Sequence, residues 1–399
     1  MAHTKRLVIV GGGFGGVKAA IELAGEKGLD ITLISDKEHF LYYPNLYETA
    51  TGGARRASIA HLDDVFKGYP RIKRITGEMV GLDTQRRHVV LHDGKQVDYD
   101  MVVVALGVVA RYFGLQGLDT FSYNIKTYDG LLEFKQHLHG MVMENHEMDK
   151  NYIVVGAGPT GVELSAAMAS YLERIKKNHG IASRRKIRIS LVEAAPRVLP
   201  RMSEKASKKV HQQLTKLGVN VMTNKKVESA DDDSIIISGK DIPSRTIVWT
   251  SGVSNHPFFK EHGDIFELAP NGRVVVNEHL EAKPGIFVIG DNAATKFTGL
   301  AQTALHDAVF VAKLIRAQLH GRPLPTYKPV MPPVVVPAGK HWAIFEWHGL
   351  RLTGRLAAMI RRAADVIGYH DVFPVGLTFG ALMAAYDEQE ECPTCAIKV

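Results

Sequence analysis

The chain has 399 residues, of which 45% are hydrophobic and 23% charged, so it is expected to fold into two or three globular domains. The net charge of +7 comes with no basic stripe interleaved with aromatic residues, which excludes nucleic acid as a predicted partner. No apolar run reaches the roughly 18 residues of a membrane span. The two cysteines, Cys392 and Cys395, exclude a disulfide framework and fit a reducing cytoplasm.

A glycine-rich motif near the start of the chain predicts a dinucleotide site. Residues 7–10 form the continuous apolar run of a strand that is buried on both faces. Gly11, Gly13 and Gly16 follow as G-x-G-x-x-G, which permits a tight turn, a close approach of a diphosphate and close packing of the next helix. A second apolar strand at 31–35 completes the strand–helix–strand context that this motif requires.

The same pattern returns in the second third of the chain. A strand at 152–155 leads into Gly156, Gly158 and Gly161, a helix follows, and the next strand ends at Glu193. Two such halves predict two dinucleotides, bound by an α/β protein with two Rossmann-type domains.

Three further features mark where the halves join and end. Two strands end in matching glycines, Gly107 and Gly252, and a later strand ends in Gly290-Asp291. Residues 301–319 have the spacing and length of a helix. Residues 325–337 contain five prolines and mark a boundary.

The C-terminal region contains an amphipathic pattern at residues 354–367. Such a helix suits an anionic membrane surface, and it equally suits packing on the protein's own core. The apolar run at 375–385 is too short to span a bilayer. The apolar face is predicted to hold Leu356, Met359, Ile360, Ala363 and Ile367, and the polar face Arg355, Arg361, Arg362 and Asp365.

Taken together, the segments VIVGGGFGG, YYPNLYETATGG, VVGAGPTGVELS, VWTSGV, VIGDNAA and AQTALHDA resemble the type II NADH:quinone oxidoreductases, which belong to the flavoproteins with two dinucleotide-binding domains. The resemblance covers about residues 5–320. It implies FAD at the first motif and NADH at the second. It further implies an FAD-binding domain at 1–116 and 249–328, an NADH-binding domain at 117–248, and a membrane-associating or dimerising region at 329–399.

Cofactor-binding residues follow from the motifs and the resemblance. The residue that should hydrogen-bond the adenosine ribose is expected to be the acid Asp36, which lies 20 residues after Gly16. Counted from Pro44, however, the position of the family's acid is occupied by Ser35. No metal is predicted. The predicted residues are Gly11, Gly13, Phe14, Gly15, Gly16, Ser35, Asp36, Gly107, Gly156, Gly158, Pro159, Thr160, Gly161, Glu193, Gly252, Gly290, Asp291, Ala301 and Gln302.

Glu193 predicts a preference for NADH, because a carboxylate there binds both ribose hydroxyls and repels a 2′-phosphate. Arg197, four residues on, could instead pair with that phosphate. Glu163 either complements the dipole of its helix or, as the family's matching glutamate implies, lies at the junction of nicotinamide and flavin.

The electron acceptor follows from an absence in the sequence. Neither motif has a cysteine nearby, which disfavours disulfide and sulfide chemistry and favours a quinone. By resemblance, Gln302 would contact quinone or flavin. At the next polar positions, His306-Asp307 replaces the family's glutamines. His306 therefore has two possible roles: it donates a proton to the quinone, or it is a helix histidine that hydrogen-bonds to neighbouring groups.

The sequence therefore predicts a peripheral enzyme on the cytoplasmic face of the cell membrane, possibly a homodimer, that oxidises NADH and reduces a quinone without pumping protons. Two alternatives stay open: a soluble FAD-dependent NADH oxidoreductase with another acceptor, and an NADH-responsive flavoprotein that acts through partner binding. The C-x-x-C of Cys392 and Cys395 has no second pair for a metal and predicts a mobile tail.

Overall fold

A computed structural model describes residues 4–145, 149–178 and 187–387. The described strands are β1 Lys5–Val10, β2 Leu29–Ser35, β3 His39–Leu41, β4 Ile59–His61, β5 Ile72–Thr76, β6 Met79–Asp83, β7 His88–Leu91, β8 Gln96–Asp98, β9 Met101–Val104, β10 Val108–Ala110, β11 Asn151–Val155, β12 Arg188–Val192, β13 Val219–Met222, β14 Val227–Ala230, β15 Ser234–Ile237, β16 Lys240–Pro243, β17 Thr246–Trp249, β18 Val253–Asn255, β19 Glu281–Lys283, β20 Ile286–Val288, β21 Val334–Pro337, β22 Ala343–Trp347 and β23 Leu350–Gly354. The described helices are α1 Phe14–Leu23, α2 Leu46–Ala50, α3 Leu62–Phe66, α4 Leu118–Phe121, α5 Tyr128–Asn145, α6 Pro159–Asn178, α7 Glu204–Lys216, α8 Pro257–Glu261, α9 Ala301–Leu319, α10 Arg355–Val372 and α11 Val375–Asp387.

The first unit is a sheet in the order β19-β20-β9-β1-β2-β5, with the helices that pack on it. Its strands are parallel except β19, and β1 lies in the middle, paired with β2 and β9. Leu7 and Ile9 belong to the core on the α1 and α9 face, while Val8 and Val10 belong to the core on the opposite face. Burial on both faces explains why this strand is a continuous apolar run.

The second unit is a parallel sheet in the order β13-β12-β11-β17. It is inserted into the first unit at a short antiparallel ribbon of β10 and β18, where Val108 pairs with Asn255 and Ala110 with Val253. The matching strand–glycine endings at Gly107 and Gly252 therefore lead into the same ribbon. The predicted domain boundaries at 116/117 and 248/249 lie inside this insertion and stay a prediction.

The C-terminal region forms an antiparallel sheet of β21, β22 and β23, followed by α10 and α11. Helix α10 extends to Val372, five residues beyond the predicted pattern. Its buried face contains Arg361 and Asp365, only 9% and 3% exposed, while Met359 and Ile367 are 64% and 66% exposed. The interpretation in which the apolar face packs on the protein's own core is therefore wrong for these residues.

Two further sequence predictions concern membrane-spanning segments and the cysteine pair. Among the described residues, no helix is long and apolar enough to cross a membrane. Cys392 and Cys395 lie outside the described residues.

Candidate functional site

The first glycine motif forms the turn between β1 and α1. A Cβ atom added to Gly16 would lie 1.9 Å from the carbonyl oxygen of Gly11, so this close packing of strand and helix requires glycine. A Cβ added to Gly13, the N-cap of α1, would meet no protein atom within 4 Å. The backbone is therefore open where a diphosphate approaches free N–H groups at a helix N-terminus, and the residues fit a dinucleotide.

The second motif repeats this geometry between β11 and α6. A Cβ on Gly161 would lie 1.8 Å from the carbonyl oxygen of Gly156, and a Cβ on Gly158 would meet no protein atom within 4 Å. Pro159 is the first residue of α6, where its missing N–H costs no hydrogen bond. Both predicted motifs thus have the backbone required for a dinucleotide at the carboxyl end of a parallel sheet.

The Gly290-Asp291 turn is held by two buried side chains. Asn292 accepts a hydrogen bond from the Gly107 N–H at 2.9 Å and donates one to its carbonyl oxygen. Asp307 accepts from the Gly290 N–H at 3.0 Å and from the Tyr327 hydroxyl at 2.6 Å. The turn is therefore fixed relative to the end of β9 and to the proline-rich segment.

The two candidate ribose-binding residues, Ser35 and Asp36, differ in their surroundings. Ser35 is the last residue of β2 and is buried, and its hydroxyl donates to the carbonyl oxygen of Lys37 at 2.8 Å. Asp36 is exposed and lies 3.7 Å from the Lys37 ammonium. Asp36 is thus an exposed carboxylate at this strand end, and its role stays a prediction.

The strand end at the second motif has a fixed carboxylate. Glu193 accepts hydrogen bonds from the N–H groups of Ala157 at 2.7 Å and Ala195 at 2.8 Å. Arg197 donates to the carbonyl oxygens of Leu199, Pro200 and Met202. The guanidinium therefore bonds within its own loop, and the role of Glu193 in selecting the nucleotide stays a prediction.

Glu163 lies in the first turn of α6, within a cluster of ionisable groups. Burial raises the pKa of Glu163 to about 8, and the nearby charges of Arg361 and Lys126 oppose that shift. Burial also raises the pKa of Glu48, whose carboxylate accepts from the Tyr47 hydroxyl at 3.0 Å. Glu163 is therefore a protonated carboxylic acid at neutral pH.

A cavity of about 190 Å³ opens beside this cluster, between α2, α6, the C-terminal sheet and α10. Glu163 and Glu48 contribute acidic groups, and Arg362 and Lys340 contribute basic ones. Much of the remaining wall is apolar, including Ala385 of α11. The cavity thus extends from Glu163 to the C-terminal helices.

Helix α10 is connected to the first motif through the loop after β3. Arg361 donates to the carbonyl oxygen of Pro44 and to Asn45 Oδ1, both at 2.9 Å. Tyr42 stacks on Tyr369 with ring centroids 4.1 Å apart and contacts Phe14 at 5.6 Å. Helix α10 therefore supports the loop that packs on Phe14 of the first motif.

Gln302 and His306 lie on one face of α9. Gln302 is exposed in its first turn, and Ala304 packs near Gly290. His306 is half-buried, and its Nε2 bonds the carbonyl oxygen of Lys328 at 3.0 Å. His306 thus hydrogen-bonds to a nearby backbone group, as one of its two predicted alternatives requires.

Sequence reasoning missed several residues at this site. Asn292, Lys126, Glu48 and Arg361 hold or charge the surroundings of the two motifs, and none was predicted to do so. Asn292 gave a signal, since it directly follows the Gly-Asp pair. Among the described residues, no group of three His, Cys, Asp or Glu side chains is arranged to hold a metal.

Comparison with known proteins gives the class that this fold and pair of motifs define. Residues 5–308 match the family model for pyridine nucleotide-disulphide oxidoreductases. The type II NADH:quinone oxidoreductase NdhA of Mycobacterium tuberculosis is 34% identical over 340 residues, 79% of this chain and 72% of that protein. That of Staphylococcus haemolyticus is 26% identical over 398 residues, 94% of this chain and 98% of that protein.

The chain belongs to the type II NADH:quinone oxidoreductases, within the pyridine nucleotide-disulphide oxidoreductase family. NDH2 from Plasmodium falciparum, solved in complex with NADH, shares the fold with a TM-score of 0.86 at 18% identity, over 96% of this chain and 98% of that one. The prediction of FAD and NADH as cofactors is confirmed by this membership.

Proposed function

We propose that this protein oxidises NADH through bound FAD and passes two electrons to a membrane quinone without moving protons across the membrane. The observation that carries this proposal is the position of Glu163: it begins α6 at the second motif and lines a cavity that reaches the C-terminal helices. The absence of cysteine near either motif supports a quinone over a disulfide as acceptor.

The second motif supports NADH as the electron donor. The diphosphate would lie against the open backbone at Gly158 and the N-terminus of α6. Glu193 presents a carboxylate whose orientation is set by two backbone N–H groups, so ribose hydroxyls can donate to its remaining lone pairs. A 2′-phosphate would meet that negative charge, so we expect NADPH to be a poor substrate.

The first motif supports FAD, which supplies the hydride-accepting ring when bound. Gly13 and the N-terminus of α1 would hold its diphosphate, and Asp291 its ribityl end. Asn292 and Asp307 keep the Asp291 turn in place from either side.

Quinone reduction needs two protons as well as two electrons. Because Glu163 is protonated at neutral pH, its carboxyl group can give a proton to a quinone oxygen in the cavity and regain one from water. The small and aromatic side chains of the cavity wall suit a quinone ring, and Gln302 stays a predicted contact at the flavin end of α9.

Membrane attachment is assigned to the exposed apolar side of α10 and α11. Val375 and Phe379 are 76% and 66% exposed, and Arg355 and Arg362 flank the surface with positive charge. Such a surface suits the headgroup region of an anionic bilayer on the cytoplasmic side. The same surface would be the contact of a homodimer. Its apolar members are Leu356, Met359, Val366, Ile367, Val375, Phe379 and Met383.

Anaerobic stopped-flow mixing tests the proposal. NADH should bleach the flavin absorbance at about 450 nm, and a menaquinone or ubiquinone analogue should restore it at a rate no lower than the steady-state turnover rate. Bleaching without recovery by either quinone would reject the quinone and favour a soluble oxidoreductase with another acceptor. Slow recovery with every acceptor, together with NADH-dependent association, would favour an NADH-responsive binding protein.

A further inference from the structure

Two arginine side chains from different units approach Gly299, in the loop that leads into α9. A Cβ atom built on Gly299 would lie 3.6 Å from Arg273 Nη2 and 3.8 Å from Arg201 Nη1. Arg273 and Gly299 belong to the first unit, whereas Arg201 lies in the second unit, between β12 and α7. The Arg201 side chain therefore reaches from the second unit to the first.

Arg201 stands on a loop whose backbone is fixed beside the second motif. The Leu199 N–H donates to the carbonyl oxygen of Ala157, in the turn of that motif, at 2.8 Å. The Met202 N–H donates to the carbonyl oxygen of Leu199 at 2.9 Å, and the Leu199 and Met202 side chains are buried. The exposed Arg201 side chain between them consequently starts from a fixed point next to the second motif.

Arg273 is held on the first unit, beside Gly299. Its Nε donates to the carbonyl oxygen of Asp291 at 2.9 Å. The next residue, Val274, is fully buried and donates its N–H to the carbonyl oxygen of Asn292 at 2.8 Å. The Arg273 guanidinium is thus a fixed positive charge at the turn that carries Asp291.

The positive charge of the two guanidinium groups is only partly balanced. Within 4–145, 149–178 and 187–387, no carboxylate lies within 4.0 Å of either guanidinium, and no hydrogen bond engages the Arg201 side chain. Burial lowers the pKa of Arg273, while the charge of Asp291 opposes that shift and the charge of Arg201 adds to it. Two like charges at one glycine favour an anion between them, and a guanidinium matches a phosphate group in shape as well as in charge.

A bound NADH would follow the same course as the Arg201 side chain. Its diphosphate would lie at the second motif, while its nicotinamide has to reach FAD in the first unit to deliver a hydride. Arg201 likewise begins beside the second motif and ends at Gly299 of the first unit. The nucleotide is therefore the anion that passes this guanidinium.

We propose that Arg201 donates hydrogen bonds to the diphosphate of NADH, with Arg273 adding a second positive charge, and so holds the nucleotide across the two units for hydride transfer. The inference rests on the proposed function. It assigns to Arg201 the binding of phosphate, whereas Glu193 would bind the ribose hydroxyls. The reducing ring itself makes no contact with Arg201 in this arrangement, so a donor without phosphate should be indifferent to the residue.

The test compares NADH with dihydronicotinamide riboside, which has the same reducing ring and ribose but no phosphate. Anaerobic stopped-flow mixing without quinone gives the second-order rate constant for flavin bleaching by each donor. Arg201→Met removes the guanidinium, and Arg201→Lys keeps the charge. Lys205→Met is the matched control, because it removes an exposed cation from the first turn of α7 in the same unit.

For Arg201→Met, the rate constant with NADH should fall at least about tenfold, while that with the riboside stays within about twofold. Arg201→Lys should retain about a third of the NADH rate constant, since an ammonium supplies the charge without the fork of the guanidinium. Lys205→Met should match the unaltered protein with both donors. A loss with NADH that is equal in Lys205→Met and Arg201→Met would assign the effect to overall charge and overturn the inference.

An unchanged ratio of the two rate constants in Arg201→Met would also overturn it, whether neither donor is affected or both fall equally. Every variant is measured in its FAD-loaded form. If Arg201→Met does not retain FAD, Arg201→Gln takes its place. Loss of FAD by both variants would assign the guanidinium to the FAD site and overturn the inference.

The proposed function fails in a different way. Bleaching by NADH without recovery by any quinone would reject the acceptor, while the ratio of donors still reports on Arg201. Normal bleaching and normal quinone turnover with an unchanged ratio would reject only the role of Arg201. Failure of NADH to bleach the unaltered protein would reject both.

Discussion

Arg361 and Asp365 form an ion pair one turn apart on α10, and this pair faces the interior of the protein. Leu356, Met359 and Ile367 of the same helix are exposed, whereas Ala357, Tyr369 and Val372 are buried. This charged pair can be buried because the loop after β3 provides polar partners for it. They are the carbonyl oxygen of Pro44, the side chain of Asn45 and the hydroxyl of Tyr42. A helix with an exposed apolar side can thus be held to its own protein in part by a buried charged pair.

Loss of one partner from this pair should destabilise the protein strongly. Arg361→Met leaves Asp365 buried beside apolar groups, and the expected loss is about 3–5 kcal/mol of unfolding free energy. Urea denaturation of the FAD-loaded protein measures it. Arg355→Met, on the exposed side of α10, is the matched control and should change stability by less than about 0.5 kcal/mol. If both variants lose the same small amount, the pair is not structural.

The stability contribution of Glu163 should depend on pH. Its pKa is about 8 in the folded protein and about 4.5 when solvated, so between these values only the folded state holds the proton. The unfolding free energy therefore falls as pH rises through this window. The ionisable groups that face Glu163 are Arg361, Asp365, Glu48 and Lys126. Glu163→Gln should flatten the curve measured by denaturation from pH 5 to pH 8 (about the window just given).

The same carboxyl group should control quinone reduction. Glu163→Gln is expected to lower the rate of flavin reoxidation by quinone about 100-fold and to remove its decline above about pH 8. Glu173→Gln, an exposed residue on the same helix, should retain the rate and the pH profile. A Glu163→Gln protein that is reoxidised at the normal rate would show that this side chain only complements the helix dipole.

Glu193→Ala should narrow the preference for NADH over NADPH by about tenfold in kcat/KM, because a charged acceptor for ribose hydroxyls is lost. Arg197→Met is the comparison. The Arg197 guanidinium donates to three backbone carbonyl oxygens of its loop, so the variant should lower stability and leave the ratio unchanged. Steady-state kinetics with both nucleotides decide the matter. A ratio that moves with Arg197 but not with Glu193 would reverse the assignment.

Membrane binding should be lost by charging the exposed apolar surface. The double variant Met359→Glu/Phe379→Glu should bind anionic liposomes at least tenfold more weakly while NADH still reduces its flavin. Val80→Glu charges an exposed apolar residue of the first unit and should bind normally. Unchanged liposome binding with a shift from dimer to monomer would assign this surface to self-association. Deleting residues 354–399 is a poorer test, because it also removes Arg361.

His306→Gln should leave the pH profile of quinone reduction unchanged, because its Nε2 is engaged by the carbonyl oxygen of Lys328. The same stopped-flow assay as for Glu163→Gln measures this. Loss of the profile in His306→Gln, with its retention in Glu163→Gln, would make His306 the proton donor.

The sequence was sufficient to predict the two nucleotide-binding halves, because each depends on local rules. Gly16 lies against Gly11 and Gly161 against Gly156 within single strand–turn–helix segments, so spacing alone predicts the geometry. The helix at 301–319 was predicted with the bounds that the structure has.

The sequence was insufficient where a side chain depends on partners far along the chain. Arg361 meets Pro44 and Asn45 across more than three hundred residues, and helical periodicity placed it on the solvent side. Local patterns report which residues share a face, whereas tertiary contacts decide what that face meets.

The antiparallel ribbon of β10 and β18 brings the entry and exit of the second unit side by side, with Ala110 paired to Val253. Because its two ends lie side by side, the second unit could be replaced by the corresponding segment of a related protein without moving the points where the rest of the chain is joined. A graft between those two residues would carry over Glu193 together with Glu163 and the α6 wall of the cavity, while α10 and the rest of the cavity wall would come from the host.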